Sequence, residues 1–408
     1  MLIRTKINNP SVVGTLLIGL TATTLAAADS TTDRISKAID DGDIALNLRY
    51  RYEFVDQKGL PKDAGASTLR SRVTLTSGRI GGFHGAVEVD NVAYLGGDNF
   101  NNTENGKTAY PIVADPDYTE INQAFISYAF NEKNSATVGR QRIDHAGQRF
   151  LGGVAWRQNE QTFDAARIQL TPLEGLTVDY SYIRQVNRIF GPEGADAEFE
   201  GDTHATLLSY KIAEGHTVSA FSYILDFDEA PALSSKTYGL DYIGAVKLSE
   251  SVGLGIQLTA AKQKEHDNNP ADFSANYYLG ELTTRFKPFS LSLGREVLSS
   301  DNGVSFKTPL ATLHKFQGFA DKFLVTPVNG IEDSYLKLAT NIAGVTLIAF
   351  YHDFKAEKGG MDYGSEIDFV ATYPISKNYS VLFKYAAYDA DDFSVDTDKA
   401  WLELSAAF

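Results

Sequence analysis

Hydrophobic and polar residues alternate along most of this chain with a period of two. From Ala400 to Phe408 every even position is apolar, whereas Glu403 and Ser405 lie at odd positions, and the chain ends on an aromatic residue. Residues 44–54 alternate in the same way. A period of two places one apolar and one polar face on a β-strand. The pattern therefore predicts amphipathic strands at both ends of the chain.

Eighteen segments share this alternation. Strands of globular proteins usually have about five to six residues, whereas a tilted strand that crosses a membrane needs about nine to eleven, and the segments have the longer length. They lie at 43–54, 66–78, 82–95, 118–130, 134–142, 159–170, 175–187, 202–212, 215–227, 236–248, 252–264, 274–286, 289–297, 333–342, 345–355, 362–373, 379–388 and 395–408. An even count is what a single-chain bacterial barrel requires. The count becomes 16 if the weaker segments 134–142 and 289–297 are not strands.

The connections between these segments alternate in length. Long ones lie at 96–117, 143–158, 188–201 and 298–332, and short turns separate them. A transmembrane barrel has short periplasmic turns at one end and long extracellular loops at the other, whereas a soluble sandwich has no reason to segregate its loops. The sequence therefore predicts an all-β fold, a transmembrane antiparallel β-barrel of 18 strands. A final strand that ends in Phe408 resembles the closing strand of outer-membrane barrels, which the barrel assembly machinery recognises.

The first 28 residues have the composition of a signal peptide. Arg4 and Lys6 form a basic start, residues 12–20 are apolar, and three alanines ending at Ala28 form a cleavage site. The apolar stretch is too short for a membrane anchor. We expect three parts: a signal peptide at 1–28, a short periplasmic segment with one possible helical turn at 29–43, and a barrel at 44–408.

Composition and charge exclude several classes of protein. The chain contains no Cys, which excludes a disulfide scaffold and a lipoprotein anchor. Its net charge is −15, and loss of residues 1–28, with two cations and no acids, makes it −17. Nucleic-acid binding needs a basic surface, so no such partner is expected. The mean hydropathy of −0.20 is compatible with a membrane barrel because its strands are polar on one face.

If the apolar face meets lipid, the polar face lines the barrel interior. The first two strands then carry an arginine row, which comprises Arg49, Arg51, Arg70 and Arg72. Turns centred near residues 60 and 80 would place Arg51 opposite Arg70, Arg49 opposite Arg72, Glu88 opposite Arg72 and Asp90 opposite Arg70. The row is either a self-neutralising charge ladder or a set of sites for a passing carboxylate or phosphate.

A second inward group lies near the C-terminus. Asp368 would lie opposite Lys384, and Lys384 opposite Lys399, with Glu403 on the same strand. Because the last strand of a barrel pairs with the first, Lys399 and Glu403 should meet the arginine row. Arg167 is a further inward candidate. Both signs of charge are present, so ion selectivity does not follow from the sequence.

Catalytic and metal sites have little support in the sequence. The seven His residues are scattered and form no metal-binding pair, and no nucleophile motif occurs. Acid-rich stretches at 98–104 and 389–398 lack the spacing of a calcium loop, which favours solvated loops over ion sites. We therefore expect no enzyme activity and no cofactor. An outer-membrane barrel enzyme and an occluded structural barrel are the alternatives.

Two regions resemble the alginate export family of outer-membrane porins. The resemblance is sharpest at 44–95, with the stretch Leu48-Arg-Tyr-Arg-Tyr-Glu-Phe-Val-Asp56, and at 136–170, with Val138-Gly-Arg-Gln-Arg-Ile143 and Trp156-Arg-Gln158. It implies an 18-stranded monomeric barrel whose Arg-rich pore passes an anionic polysaccharide. This chain departs from that picture in its mixed lumen charge and its shorter length.

These observations predict a passive channel of the bacterial outer membrane. The expected cargo is a small polar or anionic solute, including acidic sugars, and the expected surroundings are lipid and lipopolysaccharide. The long loop 298–332, with four Phe residues, either folds into the pore or caps its outer mouth.

Overall fold

The computed structural model describes residues 25–194 and 196–408. The predicted signal peptide lies mostly outside these residues. An α-helix, α1 (Leu25–Asp40), precedes the barrel and is longer than the single turn expected for 29–43. It meets a short turn, where the Gly78 amide donates to the Ala38 carbonyl over 2.8 Å. Short 3₁₀ helices occur at Ala146–Gln148, Pro231–Leu233 and Leu313–Lys315. No helix within the described ranges is long and apolar enough to cross a membrane.

Eighteen long strands form one closed antiparallel sheet in the described part of the chain. Their bounds are β1 Asp43–Gln57, β2 Ala64–Thr76, β3 Phe83–Asn99, β4 Thr119–Asn131, β5 Asn134–Gln141, β6 Thr162–Leu173, β7 Leu176–Asn187, β8 Glu198–Ala213, β9 His216–Leu225, β10 Ser235–Lys247, β11 Val252–Glu265, β12 Ser274–Phe286, β13 Phe289–Leu298, β14 Ile331–Ile342, β15 Val345–Lys355, β16 Asp362–Pro374, β17 Tyr379–Ala390 and β18 Thr397–Ala407. A two-residue hairpin pairs Ser300–Asp301 with Val304–Ser305 between β13 and β14. The predicted 18-stranded barrel is confirmed.

The barrel closes between β1 and β18. Arg51 lies directly opposite Glu403, so the last strand meets the arginine row as predicted. At the short-turn end of this seam, Leu46 and Phe408 exchange backbone hydrogen bonds of 3.0 and 2.9 Å. Each strand thus has two neighbours, and no edge of the sheet is left open to lipid.

The two faces of the sheet differ as the period of two requires. On β1, the outward side chain of Ile44 is 76% exposed, whereas the inward side chains of Arg51 and Glu53 are fully buried. Outward apolar residues recur around the wall, for example Leu240 and Leu293. An apolar band outside and a polar interior are the arrangement of a transmembrane barrel.

Four predicted cross-strand pairings are wrong, each by two residues. Arg49 lies opposite Arg70 because the turn between β1 and β2 is centred one residue earlier than predicted, near Gly59. Arg72 lies opposite Asp90 because the turn between β2 and β3 is centred one residue later, at Gly81 and Gly82. All three glycines have the positive φ that a tight turn requires.

The same shift occurs near the C-terminus. Asp368 lies opposite Ala386, and Lys384 lies opposite Trp401, because the turns before β17 and β18 are also centred one residue from the predicted positions. A shift of two residues keeps every side chain on its predicted face.

Candidate functional site

Three long loops fold into the barrel and form a constriction. We name them loop A (residues 100–118), loop B (residues 142–161) and loop C (residues 299–330). Loops B and C are joined by backbone hydrogen bonds, since the Gly152 amide donates to Leu310 over 2.9 Å and the Thr312 amide donates to Gln148 over 3.0 Å. The two loops therefore form one layer across the lumen. Of the two positions predicted for 298–332, the structure shows the inward one.

Loop B lies on the arginine row. The Arg49 guanidinium donates to the Gln158 side chain over 2.9 Å, to the Ala155 carbonyl over 2.8 Å and to the Arg157 carbonyl. Gln158 in turn donates to the Thr68 hydroxyl over 2.8 Å. Arg49 is thus occupied by loop backbone and is buried, with 8% of its surface exposed.

Arg51 is the centre of a second contact between the wall and loop B. Its guanidinium donates to Glu403 over 2.7 Å and lies 4.1 Å from the Trp156 ring centroid. The cation–π contact and the ion pair together remove this charge from water. The seam of the barrel and loop B are therefore held by the same side chain.

Arg157 brings all three loops together. It lies 3.1 Å from Glu53 on β1, 3.6 Å from Asp115 of loop A and 3.4 Å from Asp321 of loop C. All four side chains are buried, and the guanidinium donates to Glu53 and Asp321 while Asp115 adds a third negative charge. Asp115 also accepts a hydrogen bond of 2.8 Å from the backbone amide of Gln158.

Loop C is anchored to β17 and β18 by a chain of charged side chains. Lys399 donates to Asp321 over 2.7 Å, and Lys384 lies 2.7 Å from His314 Nε2. His314 Nδ1 lies 2.6 Å from Asp321. Since Nε2 accepts from the lysine, Nδ1 carries the proton and the ring is neutral. The ring stacks on Trp156 with centroids 4.5 Å apart.

The ionisation of the loop C anchor follows from these contacts. Burial lowers the pKa of His314 well below its usual value. The charge of Asp321 opposes this shift, and the charge of Lys384 adds to it. Burial alone would raise the pKa of Asp321, but His314, Lys399 and Arg157 hold that pKa well below the ordinary range. The anchor at neutral pH is therefore an ionised carboxylate beside a neutral imidazole.

The backbone of loop C also caps the carboxylates of β16. The Ala320 amide donates to Glu366 over 2.7 Å, and the Phe319 amide donates to Asp368 over 3.4 Å. Lys384 lies 3.1 Å from the Phe319 ring centroid. Asp368, Lys384 and Lys399, all predicted from the sequence, are thus brought together under loop C.

A separate network joins β2 and β3 to loop B. Arg72 donates to Asp90 over 2.7 Å and lies 3.4 Å from Glu88 and 2.8 Å from Glu160. Arg142 also binds Glu160, over 2.8 Å. Burial alone would raise the pKa of Glu160, but Arg142 and Arg72 lower it.

The remaining member of the arginine row makes a different contact. Arg70, expected to face Asp90, donates instead to Asn47 over 2.8 Å. The hydrogen-bond partner of Arg70 is therefore a neutral side-chain amide rather than the carboxylate predicted for it.

Two cavities border the constriction. One, of about 1020 Å³, opens at the short-turn end and is named the vestibule. Arg167 lines it and donates to Asp179 over 2.9 Å. The other, of about 350 Å³, lies between the loop layer and β10–β16 and is lined by Arg149, Lys315 and Lys337. No group of three or more His, Asp or Glu within residues 25–194 and 196–408 is arranged to hold a metal ion.

Sequence reasoning identified wall residues and missed their loop partners. Wall positions follow from alternation, but the loop side chains have no period. The missed partners are Asp115, Arg142, Trp156, Arg157, Gln158, Glu160, His314 and Asp321. Three of them form the run Trp156-Arg-Gln158, which the family resemblance already contained, so that run was the available signal.

Lowering the pH is expected to loosen loop C through His314. Because its pKa in the folded protein is depressed, the ring binds a proton more readily once the loop is released. Anchoring is then complete above about pH 6.5 and weakens as the pH falls below that value. Single-channel recordings at pH 7.5 and 5.0 should show more frequent openings at pH 5.0.

Replacement His314→Gln supplies the control for this pH effect. Glutamine does not titrate, and in this variant Lys399 and Arg157 still lower the pKa of Asp321. The variant should gate alike at both pH values, and an unchanged pH dependence would exclude His314 as its cause.

The fold is a closed 18-stranded antiparallel β-barrel, and it is similar to the folds of solved outer-membrane porins. OccAB4 of Acinetobacter baumannii superposes with a TM-score of 0.73 at 13% identity, covering 90% of this chain and 98% of that one. OccK9 (OpdG) of Pseudomonas aeruginosa superposes with a TM-score of 0.73 at 17% identity, covering 91% of this chain and 99% of that one. OccK3 (OpdO) of the same species has a TM-score of 0.72 at 14% identity, with 93% of this chain and 98% of that one covered.

The family comparison is more specific. The model of the alginate export family matches residues 41–186, a range that includes β1 to β6, loop B and β7 except its last residue. The resemblance predicted from the sequence motifs is therefore confirmed over this range. A search of curated protein sequences gives no significant match.

Proposed function

We propose that this protein is a passive outer-membrane channel for small anionic solutes, with acidic oligo- or polysaccharides as candidate cargo. The vestibule is the observation that carries the proposal. Four cations line it, Arg79, Lys133, Arg142 and Arg167, against the two carboxylates of Glu132 and Asp179. This local excess contrasts with a net charge of −15 for the chain.

An excess of cations in a confined aqueous space concentrates anions. The side chains of Arg142 and Arg167 are 28% and 15% exposed, so each still presents part of its surface to the lumen. Their carboxylate partners also keep the attraction moderate, which a conducting site needs because a solute must leave as well as enter. Direction of transport then follows the solute gradient.

Replacement of both Arg142 and Arg167 by Gln is expected to reduce anion preference about threefold. The change removes two lumen cations and leaves Glu160 and Asp179 less compensated. Reversal potentials in planar bilayers under a salt gradient measure it. The matched control replaces Arg184 and Arg295, which face outward and pair with Glu200 and Glu332.

The control variant has the same change in net charge but leaves the vestibule intact. Equal loss of preference in both variants would contradict the proposal. Complete absence of channel events, also after loop C is shortened, would favour an occluded structural barrel instead.

The targeting and assembly of the barrel belong to the same proposal. Residues 1–28 would direct export, residues 44–408 would form a monomeric barrel, and Phe408 would be recognised by the assembly machinery. In support, the Phe408 ring is 57% exposed and lies edge-on to Tyr379, with centroids 5.8 Å apart.

A further inference from the structure

Three lysines form a compact group on the outer wall of the barrel. Lys236 of β10 lies directly opposite Lys264 of β11, and Lys262 precedes Lys264 by two positions on the same face. Side chains directly opposite in a sheet have Cβ atoms about 5 Å apart, and diagonal neighbours about 7–8 Å. We name this group the lysine patch. All three ammonium groups can therefore reach one anionic group.

The lysine patch has one nearby carboxylate, Glu265, whose charge acts on Lys264 and Lys236. None of its members takes part in a salt bridge or a side-chain hydrogen bond found in the described ranges 25–194 and 196–408. The adjacent Glu265 accepts the Phe273 amide over 3.1 Å. Like charges directly opposite each other destabilise a sheet, and one carboxylate leaves the three lysines with an excess of positive charge that an external anion would balance.

Other outward cations on the long-loop side of the wall are paired within the protein. Arg184 lies 3.6 Å from Glu200, Arg295 lies 2.6 Å from Glu332, and Lys355 lies 2.7 Å from Asp353. The lysine patch therefore differs from its surroundings in carrying more cations than counter-charges.

The position of the lysine patch relative to the apolar band identifies the kind of anion. The exposed Tyr238 lies directly opposite Lys262, the exposed Tyr278 and Leu240 lie in the next outward row toward the short-turn end, and the exposed Leu258 follows. Tyrosine marks the interface between hydrocarbon and head groups. The ammonium groups thus lie at head-group level on the side of the long loops, which is the extracellular leaflet.

We propose that the lysine patch binds the phosphate groups of a phosphorylated glycolipid of the outer leaflet, the lipopolysaccharide of this membrane. Its acyl chains would lie along Leu240 and Leu258, and its sugar head against the tyrosine hydroxyls. A phosphate beside three lysines removes their mutual repulsion and gains charge-assisted hydrogen bonds. The site faces away from the lumen, so it is independent of the channel function.

Native mass spectrometry of the detergent-solubilised protein with added diphosphoryl lipid A tests this site. The variant K236Q/K262Q/K264Q should bind about 100-fold more weakly, since each lysine near an anionic surface contributes about fivefold. Dephosphorylated lipid A should bind wild type as weakly as diphosphoryl lipid A binds the variant. Inorganic phosphate alone should not displace the lipid, because it has no acyl chains to replace those lost.

The matched control is K58Q/K107Q/K355Q, which removes the same charge from lysines that already pair with Asp396, Asp98 and Asp353. It should bind lipid A like wild type. Equal loss in both variants, or unchanged binding in the lysine-patch variant, would overturn the proposal. Displacement by inorganic phosphate would overturn the lipid assignment. Heat-dependent electrophoretic mobility confirms that each variant is folded.

Discussion

Excision of residues 306–325, with Ser305 joined directly to Thr326, is expected to raise the single-channel conductance about threefold or more. Loop C fills the lumen with bulky side chains, among which Phe306 is fully buried and Phe323 is 4% exposed. The two ends of the excision already touch, because the Ser305 hydroxyl donates to the Thr326 carbonyl over 2.9 Å. The hairpin at 300–305 can therefore stay in place.

The excision needs a control for the general effect of shortening an extracellular loop. Removal of residues 267–270 from the β11–β12 connection, where Asn269 donates to the carbonyls of Ala232 and Ser234, should leave the conductance unchanged. If the folded loop C variant conducts like wild type, loop C does not limit the flow of ions. Planar-bilayer recordings of the purified proteins measure both variants.

Replacement Asp321→Asn is expected to destabilise the constriction by about 3–5 kcal/mol, the usual cost of breaking a buried ion pair from one side. The carboxylate of Asp321 serves Lys399, Arg157 and His314 at once, and 7% of its side chain is exposed. Without that charge, Lys399 and Arg157 are left buried with too few acceptors. We expect loop C to be released before the barrel itself unfolds.

Limited proteolysis after the lysines of loop C measures this release, because a protease is too large to reach Lys315 and Lys322 while the loop lies inside the lumen. The matched control is Asp396→Asn, which breaks the exposed pair with Lys58. Exposed pairs contribute little, so the control should be cleaved like wild type. Equal protection of Asp321→Asn and wild type would show that this carboxylate does not anchor the loop.

The strands were predictable because alternation is a local property. Each predicted segment overlaps an observed strand, and the largest difference at a start is four residues, at β8, which begins at Glu198 rather than at 202. Inward and outward faces followed from the same period, since a strand with one lipid-facing side has no freedom to rotate. Arg49, Lys384 and Glu403 are all on the predicted side.

The register and the loops were not predictable for a physical reason. A register depends on which residue of a turn takes a positive φ, and the shift at Gly59 moved a whole row of partners without changing a face. Loop docking depends on pairs that are distant in sequence, such as Arg49 with Gln158, which are 109 positions apart. No periodic pattern marks such pairs.

The seam between β1 and β18 also has a consequence for how the barrel forms. Arg51 and Glu403 are 352 positions apart, so their contact has one of the longest chain separations in the molecule. Closing such a long chain segment is entropically costly and slows folding. Until it happens, both edge strands have unpaired backbone groups, which hydrocarbon does not tolerate. Insertion into the membrane and closure of the ring should therefore be one cooperative event. A chain truncated before Thr397, which lacks the last strand, should not accumulate as a stable open barrel.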